Sequence, residues 1–280
     1  MKTILYATDC TDYSVAALQY AYFLCKKLEA SMVVLYVYDI PITGVSGLRP
    51  VGLDDDKSFE SYQESLTKYC RKHLGNELGK MNIRCMTTRH ASVSGGILSV
   101  AGEIHADLMM IGMKDEHTTR GLFAGDIAKI LIDKAHIPVL AIPNNIERNE
   151  ISQIAYATAF EESDIRAIQQ LTGIARPFEA SIHVVHISTR EEYSGKDQME
   201  WFKEMLGQQV DYPHITFRIL FSDAIYETLS DYITDTKANM LGMLERKNKG
   251  FMKKLFQRDL VKKMEASVHI PLVSFPKEKH

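Results

Sequence analysis

Short runs of nearly continuous apolar residues alternate along the chain with longer stretches whose apolar residues recur at helical spacing. Residues 3–8 (TILYAT) are almost all apolar, the pattern of a strand covered on both faces. A turn at Asp9-Cys10-Thr11, with Thr11 or Ser14 as cap, predicts a helix reaching about Leu28, with Ala16, Leu18, Tyr20, Phe23 and Leu24 among its apolar residues. A strand at 32–38 follows. Residues 39–56 carry Pro41, Gly44, Gly47, Pro50 and Gly52 and read as a long loop, and 57–78 as a polar helix. Strands at 83–90 and 107–112 flank a helix opened by Ser92 to Gly96, and a helix at 123–135 leads into a strand at 138–142.

After a polar linker, PNNIERNE at 143–150, the same plan returns. Strands are expected at 153–158, 182–187, 215–221, 239–244 and 271–275. Helices are expected from Glu162, through Trp201, at 224–234 and from Phe251. ILYAT at 4–8 matches IAYAT at 154–158, and ASMVVLYV at 30–37 matches ASIHVVHI at 180–187, both at an offset of 150. The offset is 132 by Ala106 and Ala238, so the second copy is 18 residues shorter, the loss falling between its second and fourth strands. Leu122-Phe123, Asp126 and His136-Ile137-Pro138 recur as Leu255-Phe256, Asp259 and His269-Ile270-Pro271. Alternating strands and helices imply an α/β fold: two tandem doubly wound (Rossmann-like) domains, 1–145 and 150–280, each a five-stranded parallel sheet with helices on both faces. The proline before each closing strand suits an edge or a strand start, and two such edges can pair as an internal pseudo-dimer.

The 280 residues, 45% hydrophobic and 25% charged, suffice for two cores of ordinary size. A net charge of -3 argues against a chain-wide field for nucleic acid. No apolar run approaches the ~20 residues of a membrane span, and the first residues lack a signal-peptide pattern. All four cysteines (Cys10, Cys25, Cys70, Cys85) lie in the first copy, which favours free thiols in a reducing cytoplasm over a disulfide framework.

Ligands of an open parallel sheet bind beyond the carboxyl ends of its strands, where strand order reverses. In the first copy those ends are Asp9, Val37 to Asp39, Ala91 to Gly96, and Gly112 onward. The strand ending in Asp9, the L-x-V-x-D closing at Asp39, the loop from Gly112 through Asp115 to Gly125-Asp126, and the closing strand after x-P-V together resemble the universal stress protein family. The resemblance covers both copies. It implies that Asp9 and Val37 face an adenine, and that Gly112 and Gly125 face ribose and phosphates, where glycine lets backbone N–H groups approach an anion. Asp115 stands where the family has its second glycine and Asp126 where it has Ser or Thr. Carboxylates there repel phosphate oxygens unless a metal such as Mg²⁺ intervenes. The second copy has Ala159 for the aspartate, Leu244 for the first glycine and Arg258 for the last.

Each of these residues also has a local reading. Asp9 suits a turn or helix cap, Val37 a strand core, Gly112 and Gly125 a turn and a helix start, and Asp126, like Asp259, a cap. Ser94-Gly95-Gly96 resembles a pyrophosphatase loop but follows the third strand, where a helix start accounts for it. His183 and His186 lie three apart on a strand and point to opposite faces, so they do not chelate one metal. Cys10, at a helix start, is placed to favour a thiolate but has no partner base. Eight lysines and arginines between Arg246 and Lys263 form either a solvated helix face or an anion surface. No catalytic set and no metal-ligand set stands out.

The resemblance implies a stress-response module that binds or regulates and does not catalyse. Three readings remain: a protein with a degenerate nucleotide site acting through protein partners, an ATP sensor using the first copy alone, with Asp115 or Asp126 recruiting Mg²⁺, and a slow ATP hydrolase. A homodimer is compatible with all three, and neither a membrane nor nucleic acid is expected as a partner.

Overall fold

The structure, a computed structural model, describes residues 1–38, 55–79, 82–113, 125–146, 150–189, 195–245 and 270–277. Asp115, most of the 39–56 loop, the basic 246–263 segment and the helix expected from Phe251 lie outside the described residues. Strand β1 (Thr3–Ala7) leads through a short 3-10 turn into α1 (Val15–Lys27). Then come β2 (Ser31–Tyr38), α2 (Asp55–Leu74), β3 (Ile83–Arg89), α3 (Val93–Glu103), β4 (Leu108–Gly112), α4 (Gly125–Lys134) and β5 (Val139–Ile142). The second half runs β6 (Gln153–Ala157), α5 (Glu162–Ala175), β7 (Ser181–Ser188), α6 (Gly195–Gln209), β8 (Ile215–Phe221), α7 (Ile225–Thr236), β9 (Met240–Leu244) and β10 (Leu272–Phe275).

All ten strands join one sheet in the order β3-β2-β1-β4-β5-β10-β9-β6-β7-β8. Neighbours within each half are parallel, and β5 meets β10 antiparallel, with Leu272 opposite Ala141 and Ser274 opposite Val139. The proline-led strands are therefore central, and the outer edges are β3 and β8. Pro138 and Pro271 are tolerated because each sits one residue before its strand and offers only a carbonyl, to Met109 N and Leu241 N, both at 2.9 Å.

The central strands β1, β4, β6 and β9 are apolar on both faces because helices cover both faces, and their residues are almost wholly buried. One core cluster runs continuously across the junction beneath α1 and α5, taking in Leu140 and Ile142 from β5 and Val273 and Phe275 from β10. The rings of Phe23 and Phe178, one from each half, lie 5.7 Å apart on the same side. The opposite face carries separate clusters under α3 and α4 and under α7. Ser31–Tyr38 and Ser181–Ser188 keep the offset of 150, and Ile83–Arg89 and Ile215–Phe221 keep 132, so the 18 residues are lost between the second and third strands of the second half. That interval holds the 39–56 loop and α2.

Each half is clipped at its first strand. Asp107 Oδ2 accepts from the N–H groups of Lys2 (2.6 Å) and Thr3 (2.9 Å). Asn239 Oδ1 does the same for Ser152 (3.1 Å) and Gln153 (3.2 Å). Burial works against the Asp107 charge, but the bonds from Thr3 and Lys2 and the nearby amino terminus outweigh it and hold the carboxyl below its ordinary value. A lowered pKa stabilises the fold above the unfolded value of about 3.9, and that contribution disappears as pH falls through the folded value. Asp107→Asn, which copies the second half, is expected to cost less than about 1 kcal/mol at neutral pH and to flatten the loss of stability below about pH 4. Urea unfolding at pH 7 and pH 3 checks this; an unchanged acid slope would remove Asp107 from the account.

Candidate functional site

Strand order reverses between β1 and β4 in the first half and between β6 and β9 in the second, so each half has one switch point. In the first, Ala7 lies opposite both Leu35 and Ile111. Two residues further along each chain come Asp9, Val37 and Met113, with Gly112 one step behind. The fold thus brings Asp9, Val37 and Gly112 to one end of three adjacent strands, and α4 begins at Gly125, whose backbone also places Asp126 in its first turn.

The chain leaves β1 through Cys10 in the left-handed region (φ 58°). That turn is held by Thr8 Oγ1, which accepts from Cys10 N at 3.1 Å. Neither Thr11 nor Ser14 caps its helix through its side chain. Asp9 gathers them instead: its Oδ1 accepts from Thr11 N (3.1 Å), Thr11 Oγ1 (2.7 Å) and Ser14 Oγ (2.5 Å). Asp9 is half-buried, so a carboxylate fixed by hydroxyls stands at the mouth of the switch point. Burial, then Asp9, pushes the Cys10 thiol up to about 12. The thiolate expected from its helix-start position is therefore not favoured.

Val37 is 2% exposed, and its side chain packs toward α3. A Cβ on Gly96 would come within 2.7 Å of Val37 Cγ1 and 3.0 Å of His90 Cβ, so this glycine is fixed by close approach of helix and strand. Ser92 is the helix cap, accepting from Gly95 N at 3.2 Å. Gly112 lies against α1, where a Cβ would meet that of Ala17 at 3.1 Å.

The second switch point is built from the same turn with different contents. Phe160 takes the left-handed position (φ 56°), and Thr158 Oγ1 accepts its N–H at 2.8 Å. Ala159 stands where Asp9 does, and a carboxylate returns five residues later as Asp164, the counterpart of Ser14. Asp164 is fully buried and accepts from Tyr156 Oη (2.9 Å), Thr158 Oγ1 (2.9 Å), Glu161 N (3.1 Å) and Ala159 N (3.3 Å). With Glu161 it forms a capping box for α5. The Phe160 ring packs between His186 (4.8 Å between centroids) and Phe202 (5.3 Å), and His186 Nδ1 lies 2.9 Å from the Thr158 carbonyl. Leu244, in place of Gly112, is 2% exposed, and Glu245, in place of Met113, is 6% exposed. Aromatic rings and buried carboxylates thus lie at the second switch point.

His183 meets Tyr232 of α7 (Nδ1 to Oη, 3.0 Å) while His186 faces α5 and α6, so the two are on opposite faces of the sheet. Among the described residues no group of three or more His, Cys, Asp or Glu is arranged to hold a metal. A cleft of about 340 Å³ lies at the junction, lined by His136, Glu161, Arg166, Gln170, Phe275 and Lys277 and crossed by the Lys277–Glu161 ion pair at 3.1 Å. His136 is exposed there. Nothing local in the sequence signals this cleft, because its walls come from three segments that meet only when β5 and β10 pair.

An open, mostly parallel sheet with helices on both faces and a polar turn at its switch point defines a Rossmann-like binding fold. Residues 1–143 match the family model described as the universal stress protein family, and the chain belongs to that family. A universal stress protein of Methanocaldococcus jannaschii is 28% identical over 143 residues, which is 50% of this chain and 81% of its own length. The crystal structure of a universal stress protein from Archaeoglobus fulgidus shares the fold over 99% of this chain and 98% of its own, with a TM-score of 0.71 at 14% identity. A functionally unknown protein from Pseudomonas aeruginosa does so over 99% and 93%, with a TM-score of 0.65 at 11% identity. Among the described residues no helix is long and apolar enough to cross a membrane.

Proposed function

We propose that this protein is a cytoplasmic stress-response module, built of units 1–145 and 150–280, that acts through protein contacts. Its nucleotide site is degenerate: abolished in the second half and partial in the first. The observation that carries the reading is the contrast between Asp9, half-buried and held by hydroxyls at the first switch point, and Phe160 with Asp164, buried at the second. The four free cysteines fit a reducing compartment.

The test is to denature the purified protein, before and after incubation with Mg·ATP, and identify what it releases by mass spectrometry. No stoichiometric adenine nucleotide is expected in either sample. Release of one per chain would overturn the degenerate-site reading.

One observation favours a second reading, an ATP sensor confined to the first half. Asp9, Val37 and Gly112 converge on one strand-end mouth, with the start of α4 following in the chain. Asp9 would then face the base, and Gly112 and Gly125 the ribose and phosphates. On this reading, Mg·ATP at a hundred times its Kd adds about 2.7 kcal/mol of stability and raises Tm by roughly 5–10 °C. Asp9→Ala abolishes that rise. The hydrolase reading further requires turnover above a Gly125→Arg control, which carries the second copy's own residue.

A further inference from the structure

The two outer edges of the sheet are closed in different ways. In a parallel strand a residue's N–H and carbonyl point to the same side, and successive residues alternate. The Asn82 carbonyl accepts from Met32 N at 2.9 Å and His90 N donates to the Tyr38 carbonyl at 3.2 Å, so Ile83, Cys85, Thr87 and Arg89 present their backbone groups outward from β3. Ile182 N donates to the His214 carbonyl at 2.8 Å and Ser222 N to the Ser188 carbonyl at 3.1 Å, so Ile215, Phe217, Ile219 and Phe221 do the same from β8. Helix α2 guards the first edge. Gln63 Nε2 donates to the outward Cys85 carbonyl at 2.9 Å, and Gln63 Oε1 is held by Thr87 Oγ1 at 3.0 Å. Phe217 is the matching position, 132 residues on. Its carbonyl is covered from within its own strand, by Arg218 Nη1 at 3.1 Å. Among the described residues no side chain of α6 hydrogen-bonds to β8.

We propose that the outer edge of β8 is where the protein partner docks, adding an extended segment as an eleventh strand with an acidic residue set against Arg218. The proposal rests on the reading that this protein acts through protein contacts, and it gives that reading a place. A row of outward N–H and carbonyl groups is a template for a further strand. At β3 that template is blocked by a side chain from another element, tied at both ends of its amide. At β8 the cover is a single exposed side chain on the strand itself, which turns away without moving any helix.

Charge decides what kind of strand fits. Among the described residues no carboxylate pairs with Arg218. An incoming strand takes over the Phe217 carbonyl, so the guanidinium loses its acceptor and needs another. A carboxylate on the facing residue supplies one, with a charge-assisted bond in place of a neutral one. A second copy of this chain does not. Arg218 is the middle residue of β8, Ile215–Phe221, so an antiparallel copy centred on the strand sets Arg218 against Arg218, like charges directly opposed. Phe221, 71% exposed at the end of the strand, offers the segment an apolar contact beyond its backbone bonds.

The test selects binders to the full chain from random peptides displayed on phage, then follows one synthetic binder by fluorescence anisotropy and by residue-resolved amide exchange. Acidic peptides are expected to be enriched. The bound peptide should slow exchange at Phe217, Ile219 and Phe221 and leave Thr216, Arg218 and Leu220 unchanged, since those already bond to β7. Arg218→Glu is expected to weaken binding about tenfold. Methylating alternate backbone nitrogens of the peptide should abolish it, a check that needs no variant of the protein. Enrichment of no acidic peptide would overturn the proposal. So would protection at another surface, binding indifferent to Arg218→Glu or to methylation, or a homodimer in sedimentation whose contact protects β8. Each of these leaves the protein-contact reading itself standing; that reading is overturned by nucleotide release, whatever β8 does.

Discussion

Asp164→Ala is expected to cost about 3–5 kcal/mol of stability, whereas Asp9→Ala, at the matching turn, costs only about 1 kcal/mol. The difference follows from what each carboxylate leaves behind. Removing Asp164 strands the hydroxyls of Tyr156 and Thr158 in a region with no exposed surface, and releases two backbone N–H groups at the start of α5. Removing half-buried Asp9 frees the hydroxyls of Thr11, which is itself only half-buried, and of Ser14, and takes no bond from a fully buried group. At about 2–4 °C per kcal/mol for a protein of this size, the first substitution lowers Tm by roughly 10 °C and the second by a few degrees. Thermal unfolding of both variants side by side checks the ordering, and equal losses would mean that Asp164 is no more structural than Asp9.

Phe160→Ala should be nearly as damaging, at about 3–5 kcal/mol, the sum of lost burial and the cavity left between His186 and Phe202. The main chain does not relieve it, since alanine at φ 56° is no better placed than phenylalanine. The substitution opens space at the second switch point without making a nucleotide site, because Asp164 and Glu245 still put buried carboxylates beside it. A large fall in Tm with no gain of Mg·ATP binding is the expected outcome. A variant that gained nucleotide would show that bulk alone had closed the second half.

Much of the architecture was legible because strands buried on both faces are short apolar runs, and those runs return at a fixed offset with their flanking turns. The sheet's central antiparallel pair was legible in outline, since each copy closes on a proline-led apolar strand. Less legible was the fate of the second site. Reading the copies position by position, Ala159 marks a missing aspartate. The carboxylate has instead moved to Asp164, on the helix, and only the folded turn places it beside Thr158 and Tyr156. Likewise Phe160, His186 and Phe202 look like ordinary core residues in sequence, and they form one aromatic cluster only when β7 and α6 bring them together. Gly96 read as a helix-start residue, but its requirement for glycine comes from Val37 on another strand. Local patterns carry elements; contacts across many residues decide whether a strand end stays a pocket or becomes core.

The antiparallel meeting of β5 and β10 has a bearing on how unlike the two halves have become. Two identical chains joined at this edge would carry every substitution twice, once on each side of the dyad, and would separate on dilution. A single chain is bound by neither condition. Its association is intramolecular at any concentration, and a change such as Phe160 in one half leaves Cys10 in the other untouched. One half is thereby free to fill its strand end with aromatic rings while the other keeps a polar turn there, a division that a symmetric pair cannot encode.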